Sequence, residues 1–164
     1  MKICINDDIN TVIYINKEYS SDIGFSNELE IENYFKKVFN KLKTFYNISI
    51  KGFYNIDVYL DNYYGIVLNL EKENIDYYDY FDNHIDMQFR IKKYSSFLYK
   101  LNDLFDLSSQ IKDKVIVYFY RNQIYAKIIK KIDYLNLGKL IENSQIIYDE
   151  KIDDIVKYGK IINW

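Results

Sequence analysis

The sequence offers little to the commonest catalytic and metal-binding chemistries, since its 164 residues include one cysteine and one histidine. Because Cys4 has no second cysteine to pair with, no disulfide can form within the chain, which predicts a reducing, cytoplasmic compartment. His84 and Cys4 together are too few for a zinc site, and five scattered glycines form no phosphate-binding loop. The sequence therefore predicts a protein that is not an enzyme and that holds no cofactor and no metal.

Proline and long apolar runs are also missing. Proline is absent, where about 5% is average, while Ile, Asn, Lys and Tyr, which have AT-rich codons, dominate. This bias indicates an AT-rich bacterial genome. It also explains much of the high number of tyrosines, 19 in all, so that number is no evidence for a surface on which nucleic-acid bases stack. No run approaches the roughly 20 apolar residues that cross a bilayer, and Met1–Ile5 lacks the long apolar stretch of a signal peptide. We therefore expect no membrane partner.

Charge is unevenly divided along the chain, although the net charge is only −2. Residues 1–73 carry 8 basic and 11 acidic groups, residues 74–86 carry 4 acidic groups and no basic one, and residues 87–164 carry 14 basic and 9 acidic groups. The basic side chains of interest in the last part are Lys112, Lys114, Arg121, Lys127, Lys130 and Lys131. They form either a solvated surface or a patch that follows a phosphate backbone.

The first part of the chain predicts a β-β-α-β-β lobe. A helix begins at Ser26 or Asn27, either of which can cap it, and its apolar residues repeat with helical spacing. That apolar face consists of Ile31, Tyr34, Phe35, Val38, Phe39, Leu42, Phe45 and Tyr46. The predicted strands, the last two of which alternate as a hairpin, are Met1–Ile5, Thr11–Ile15, Phe53–Leu60 and Ile66–Glu71.

An acidic, tyrosine-rich segment, residues 74–86, lies between the two halves of the chain. Its four aspartates lack the central glycine and the final ligand of a calcium loop. We interpret the segment as a solvated linker that also contains an exposed His84. A docking segment built from tyrosines and acids is the alternative interpretation.

The second part of the chain predicts a further lobe of strands and helices. Met87–Ile91 alternates as a strand, Ser95 or Ser96 is expected to cap a helix over Phe97–Phe105, and Gly159 falls at the left-handed C-cap of the last helix. The other predicted elements are a hairpin of Val115–Tyr120 and Ile124–Ile129, helices over Leu135–Ile141 and Ile152–Val156, and a terminal strand at Lys160–Ile162.

Together these patterns predict an α+β protein of two small lobes, each a short β-sheet with helices packed on one face. The N-terminal lobe is expected to span residues 1–73 and the C-terminal lobe residues 87–164, with residues 74–86 as the acidic linker.

In the first lobe, a strand pair leads through Asp22-Ile23-Gly24-Phe25 into a helix, and Ile50-Lys51-Gly52 precedes a hairpin. In these motifs the lobe resembles the N-terminal domain of the MecA-type adaptors of the Clp protease system. The second lobe is similar to their C-terminal domain in the strand-turn-strand Val115–Ile129. It is also similar in the ending, which runs from Leu140 through Lys157-Tyr158-Gly159-Lys160-Ile161-Ile162. The segment between the lobes is shorter than in that family, so the chain would be a compact, divergent relative.

The resemblance implies a non-enzymatic adaptor whose first lobe holds a client protein and whose second lobe docks a Clp-type ATPase. We expect the last helix to contact a protein partner, because acidic side chains on a rigid element suit a basic patch. The expected contact residues are Asp153, Asp154, Lys157 and Tyr158. Two rival functions remain, namely nucleic-acid binding by the basic C-terminal lobe and inhibition of a host enzyme by a small phage or mobile-element protein.

Overall fold

The computed structural model describes residues 2–6, 9–19, 28–46, 52–73, 85–92 and 96–164. It has an α+β fold with two five-stranded sheets and divides into two compact units. The first unit comprises Met1–Tyr59 with Gly65–Lys93, and the second comprises Leu60–Tyr64 with Tyr94–Trp164. The turn Leu60–Tyr64 therefore belongs to the second unit, although its flanking strands lie mainly in the first.

The first unit contains one sheet and one long helix. In chain order the elements are β1 (Lys2–Ile5), β2 (Asn10–Asn16), a 3-10 turn (Lys17–Tyr19), α1 (Glu28–Tyr46), β3 (Gly52–Asp61), β4 (Gly65–Glu73) and β5 (Ile85–Lys92). The strand order in the sheet is β1-β2-β4-β3-β5. Strand β1 pairs antiparallel with β2, β2 pairs antiparallel with β4, and β3 pairs parallel with β5.

Helix α1 packs on this sheet through its apolar stripe. Ile31, Phe35 and Phe39 are buried, and the Phe35 ring stacks on the Phe89 ring of β5 with centroids 5.7 Å apart. The predicted helix and the four predicted strands are confirmed, whereas the expected caps Ser26 and Asn27 lie outside the described residues.

The fifth strand of this sheet corrects the sequence analysis. Met87–Ile91, predicted to open the second lobe, lies in β5 and pairs in parallel with β3. Asp57 and Arg90 lie directly opposite in that register, with Arg90 Nε 2.9 Å from Asp57 Oδ1. The last two residues of the expected linker, Ile85 and Asp86, are already part of the strand, while residues 74–84 lie outside the described part. Alternation predicts a strand and its faces, but it does not specify the neighbouring strand.

The second unit contains one sheet and two helices. In chain order the elements are β6 (Leu98–Leu101), 3-10 turns at Leu104–Asp106 and Ser109–Lys114, β7 (Val115–Tyr120), β8 (Gln123–Ile128), α2 (Tyr134–Glu142), β9 (Ser144–Ile147), α3 (Lys151–Tyr158) and β10 (Lys160–Ile162). The sheet is entirely antiparallel, with the strand order β10-β7-β8-β6-β9. The hairpin, the last two helices and the terminal strand were predicted.

The predicted helix over Phe97–Phe105 is wrong. Leu98–Leu101 forms β6, which pairs with β8 on one side and β9 on the other. An apolar run this short fits a helix or a buried strand, and the two flanking strands decide in favour of the strand. One of those flanking strands, Ser144–Ile147, was not predicted.

Both faces of the second sheet are covered, whereas the sequence analysis placed helices on one face. Val117 and Ala126 pack with Leu137 of α2 in one buried cluster. Tyr118 and Tyr125 pack with Ile155 of α3 in another. Because neighbouring residues of a strand point to opposite faces, α2 and α3 lie on opposite sides of this sheet.

Candidate functional site

Helix α3 carries all four residues that were expected to contact a partner. Its inner face is fixed by Ile152 and Ile155, whose side chains are only 5% and 3% exposed and pack against Tyr118 and Tyr125. The sequence places polar residues on the remaining turns, so that they face solvent. The exposed residues of α3 are Lys151, Asp153, Asp154, Lys157 and Tyr158.

Helix α3 carries charges of both signs and begins at Lys151, whose Nζ lies 3.3 Å from Asp149 Oδ2. Asp153 and Asp154 lie in the first turn, where the positive end of the helix dipole stabilises carboxylates. At the other end, Lys157 Nζ lies 4.9 Å from the centre of the Tyr158 ring. Within the described ranges neither carboxylate forms an ion pair. Both are therefore available to a cationic partner without first breaking an internal salt bridge.

The junction between α3 and β10 depends on a close approach at Gly159. Gly159 N donates a hydrogen bond to Ile155 O at 2.9 Å, and a Cβ on Gly159 would lie 2.3 Å from that same oxygen. The predicted left-handed C-cap is wrong, because Gly159 has φ −70° and ψ 138°. Lack of space, and not a positive φ, is what requires glycine here.

A cleft that the sequence analysis missed lies beyond the end of β10. The register of β10 with β7 ends at the pair Ile162–Val117, so the chain beyond Ile162 no longer pairs with the start of β7. The opening has a volume of about 470 Å³. Its lining consists of Lys112, Val115, Ile116, Val117, Ile161, Ile162, Asn163 and Trp164.

Lys112 is held at this cleft by a short, anchored turn. Ser108 Oγ accepts a hydrogen bond from Gln110 N at 3.3 Å at the start of the 3-10 turn, and Ile111 is buried beneath it. The Lys112 ammonium lies 6.0 Å from the centre of the Trp164 ring, at the outer limit of a cation–π contact. It is the single charged side chain among the described residues that line the cleft.

The six basic residues singled out in the sequence do not form one cluster. Arg121 lies in the turn between β7 and β8, at one end of the hairpin. Lys114 precedes β7, and Lys130 and Lys131 follow β8, at the opposite end. Six strand residues separate the ends, a distance of roughly 20 Å. A single phosphate-tracking patch of all six residues is therefore absent from the described part of the chain.

A buried carboxylate in the second unit is used structurally. Asp61 Oδ1 accepts hydrogen bonds from Tyr63 N at 2.8 Å and Tyr64 N at 2.6 Å, and its Oδ2 accepts one from Phe97 N at 2.7 Å. The Tyr99 hydroxyl is buried and makes no hydrogen bond. Burial, followed by the charges of Asp61 and Tyr64, holds the pKa of Tyr99 well above its ordinary value.

The residues considered for metal or thiol chemistry are not assembled into a site in the described ranges. Cys4 is half-buried in β1, opposite Val12, as expected of a packing residue. His84 and most of the 74–86 segment lie outside those ranges. Among the residues that the structure describes, no three His, Cys, Asp or Glu side chains are grouped to hold a metal ion.

Comparison with protein-family models, with curated proteins and with solved structures gave no match. No helix in the described part of the chain is long and apolar enough to cross a membrane. In the described part of the chain, two surfaces are candidates for binding a partner: the outer face of α3 and the cleft beside Trp164.

Proposed function

We propose that the chain is a non-enzymatic adaptor, like the MecA-type proteins it resembles, and that it docks a Clp-type ATPase through the outer face of α3. The observation that supports this is the pair Asp153 and Asp154, two exposed carboxylates on a helix whose opposite face is buried. The partner chemistry that fits them is a basic patch on a protein.

The physical advantage of this surface is that it is already ordered. Because Ile152 and Ile155 hold α3 against the sheet, binding does not have to order a flexible segment, a step that costs free energy. Exposed charges on the rim of an interface act mainly by steering the encounter, so they raise the association rate and make it depend on salt.

An adaptor also needs a second partner, and the resemblance assigns the client to the first unit. The division into two compact units, each with its own sheet and its own buried side chains, supports such a separation of tasks. The outer face of α3 belongs entirely to the second unit.

The test measures association of the full-length chain with a purified Clp-type ATPase hexamer at about 50 and 200 mM salt. The full chain is needed because residues 87–164 alone would carry β5 without its partner β3 and would lack Asp61. Asp153→Lys with Asp154→Lys should slow association at least tenfold at low salt and reduce its salt dependence. The matched control reverses two other exposed acids, Asp113→Lys with Glu142→Lys, and should leave the rate within about twofold.

Absence of binding by the folded, full-length protein would refute the proposal. Equal rates for both double variants would also refute it, since α3 would then be an ordinary solvated helix. If partners recovered from a cell lysate on the chain were lost after nuclease treatment, the nucleic-acid alternative would be favoured.

A further inference from the structure

The cleft beside Trp164 lies at an exposed edge of the second sheet. β10 covers β7 only from Val117 to Phe119, which leaves Val115 and Ile116 without a strand opposite them on that side. Five of the eight lining residues are aliphatic, and Trp164 is the one aromatic residue among them. An incomplete sheet edge lined by aliphatic side chains is suited to an extended peptide, which pairs with the edge and inserts alternate side chains.

The charge at the cleft narrows the choice of occupant. Lys112 carries the single charged side chain among the described lining residues, and its ammonium lies 6.0 Å from the centre of the Trp164 ring. A carboxylate brought to this ammonium would form a charge-assisted hydrogen bond. A second copy of this cleft is a poor occupant, because the described lining residues include no Asp or Glu that could pair with Lys112 in a two-fold interface.

The size of the cleft agrees with a peptide segment. About 470 Å³ holds a few side chains but not a folded domain, and it lies within the range of ordinary ligand sites. The opening continues along the edge of β7 and is not a closed pocket, so the occupant can enter and leave as part of a longer chain.

We propose that this cleft binds an extended segment of a partner protein in which an acidic residue neighbours an apolar one. The acidic side chain bonds to Lys112 Nζ, the apolar side chain packs on Ile162 and Trp164, which lie on the same face of the sheet, and the peptide backbone lies along the start of β7. This site is distinct from the four exposed residues of α3 and does not depend on the function proposed for them.

The chain provides its own reporter, because Trp164 is its one tryptophan. A library of random displayed peptides is selected on the full-length protein, and the enriched peptides are synthesised and titrated while tryptophan emission is followed. We expect enrichment of acidic–apolar sequences and a saturable change in Trp164 emission. Replacing the acid of the peptide by its amide should weaken binding at least tenfold.

Variants assign the contact to the cleft. Lys112→Glu should weaken binding of the enriched peptide at least tenfold, with Lys112→Gln intermediate, whereas Lys130→Glu removes an exposed lysine elsewhere and should change it less than twofold. Lys112 is exposed, so these variants should fold, and circular dichroism checks that they do.

The proposal fails if no acidic sequence is enriched, if Lys112→Glu binds the peptide as tightly as the parent, or if Trp164 emission does not change on saturation. Asp153→Lys with Asp154→Lys should leave peptide binding intact. A failure at the cleft is therefore distinguishable from a failure of the α3 surface, which is measured with the ATPase.

Discussion

The carboxylate of Asp61 and the backbone N–H of Phe97 form a 2.7 Å hydrogen bond between residues 36 positions apart. The same carboxylate accepts the N–H groups of Tyr63 and Tyr64, so one side chain satisfies three buried or half-buried donors. This arrangement explains why the turn Leu60–Tyr64 belongs to the second compact unit.

Removing this acceptor should destabilise the second unit. Asp61→Ala leaves three donors without a partner, and each buried, unsatisfied donor costs about 1–3 kcal/mol, so we expect a loss of about 3 kcal/mol or more. Denaturant unfolding followed by Trp164 emission measures the change within the same unit. Asp113→Ala, at an exposed aspartate, is the control and should change stability by less than about 0.5 kcal/mol. A similar small change for Asp61→Ala would show that the three bonds contribute little.

A second prediction concerns the buried hydroxyl of Tyr99. Because this group makes no hydrogen bond, Tyr99→Phe should be neutral or stabilising at neutral pH, by roughly 0–1 kcal/mol. The pKa of Tyr99 is raised in the folded state, so the folded protein retains a proton that the unfolded chain loses above the ordinary tyrosine pKa of 10.0. Stability should therefore fall as the pH rises above that value.

Tyr99→Phe should flatten this alkaline loss without abolishing it, since burial also raises the pKa of Tyr118. Melting temperatures between about pH 7 and 11 provide the measurement. Tyr134→Phe, at a side chain that is 70% exposed, should follow the parent curve. Identical slopes for the parent and Tyr99→Phe would contradict the assignment.

The N-cap of α2 predicts an effect at acid pH. Asp133 Oδ1 accepts a hydrogen bond from Asn136 N at 2.9 Å, and Oδ2 accepts one from Asn136 Nδ2 at 2.7 Å. These bonds, aided by the charge of Lys114, lower the pKa of Asp133 below its ordinary value of 3.8. The stabilisation is therefore present above that value and is lost as the pH falls through the lower, folded-state pKa.

Asp133→Asn keeps an oxygen acceptor for the cap but removes the charge. Its melting temperature should be lower than that of the parent at neutral pH, and the difference should shrink as the pH falls below about 4. Asp103→Asn, at an exposed aspartate that also bonds a nearby backbone N–H, is the comparison. A difference that stays constant with pH would mean that the carboxylate charge has no role.

The sequence predicted those elements whose pattern is long and local. The apolar stripe of α1 and the strict alternation of β3 were sufficient, because burial on one side imposes the helical or strand period directly. It failed at Leu98–Leu101, where four apolar-rich residues are a strand only because β8 and β9 lie on either side. Partner strands are tertiary information that a local period does not contain.

The two candidate surfaces differ in the same way. The four predicted contact residues of α3 lie within six positions of the sequence, so the helix itself places Asp153, Asp154, Lys157 and Tyr158 on one element. The cleft joins Lys112 to Ile116 and Trp164, and only the pairing of β10 with β7 brings these distant positions together. Two signals were available in the sequence: the lone tryptophan and a final strand too short to cover its neighbour.

The last prediction uses two glycines as a matched pair. Gly138 lies inside α2 with no atom within 4 Å of an added Cβ, so Gly138→Ala should stabilise the protein by about 0.4–1 kcal/mol through higher helix propensity. At Gly159 the added Cβ would meet Ile155 O at 2.3 Å and Tyr118 Cβ at 3.3 Å, so backbone must shift. Gly159→Ala should therefore destabilise the protein by about 1–3 kcal/mol, as overpacking usually does.

The two substitutions should also differ at the surfaces. A shift at the junction of α3 and β10 moves Ile161 and Ile162, which line the cleft, so Gly159→Ala should change Trp164 emission in the folded state, and Gly138→Ala should not. Denaturant melts and native-state emission spectra of the two variants give both readouts. If Gly159→Ala were as stable as the parent and had the same emission, the chain could leave α3 without the close approach at Ile155 O. In that case the packing of α3 against the sheet would not fix the position of β10 or the opening of the cleft beside it.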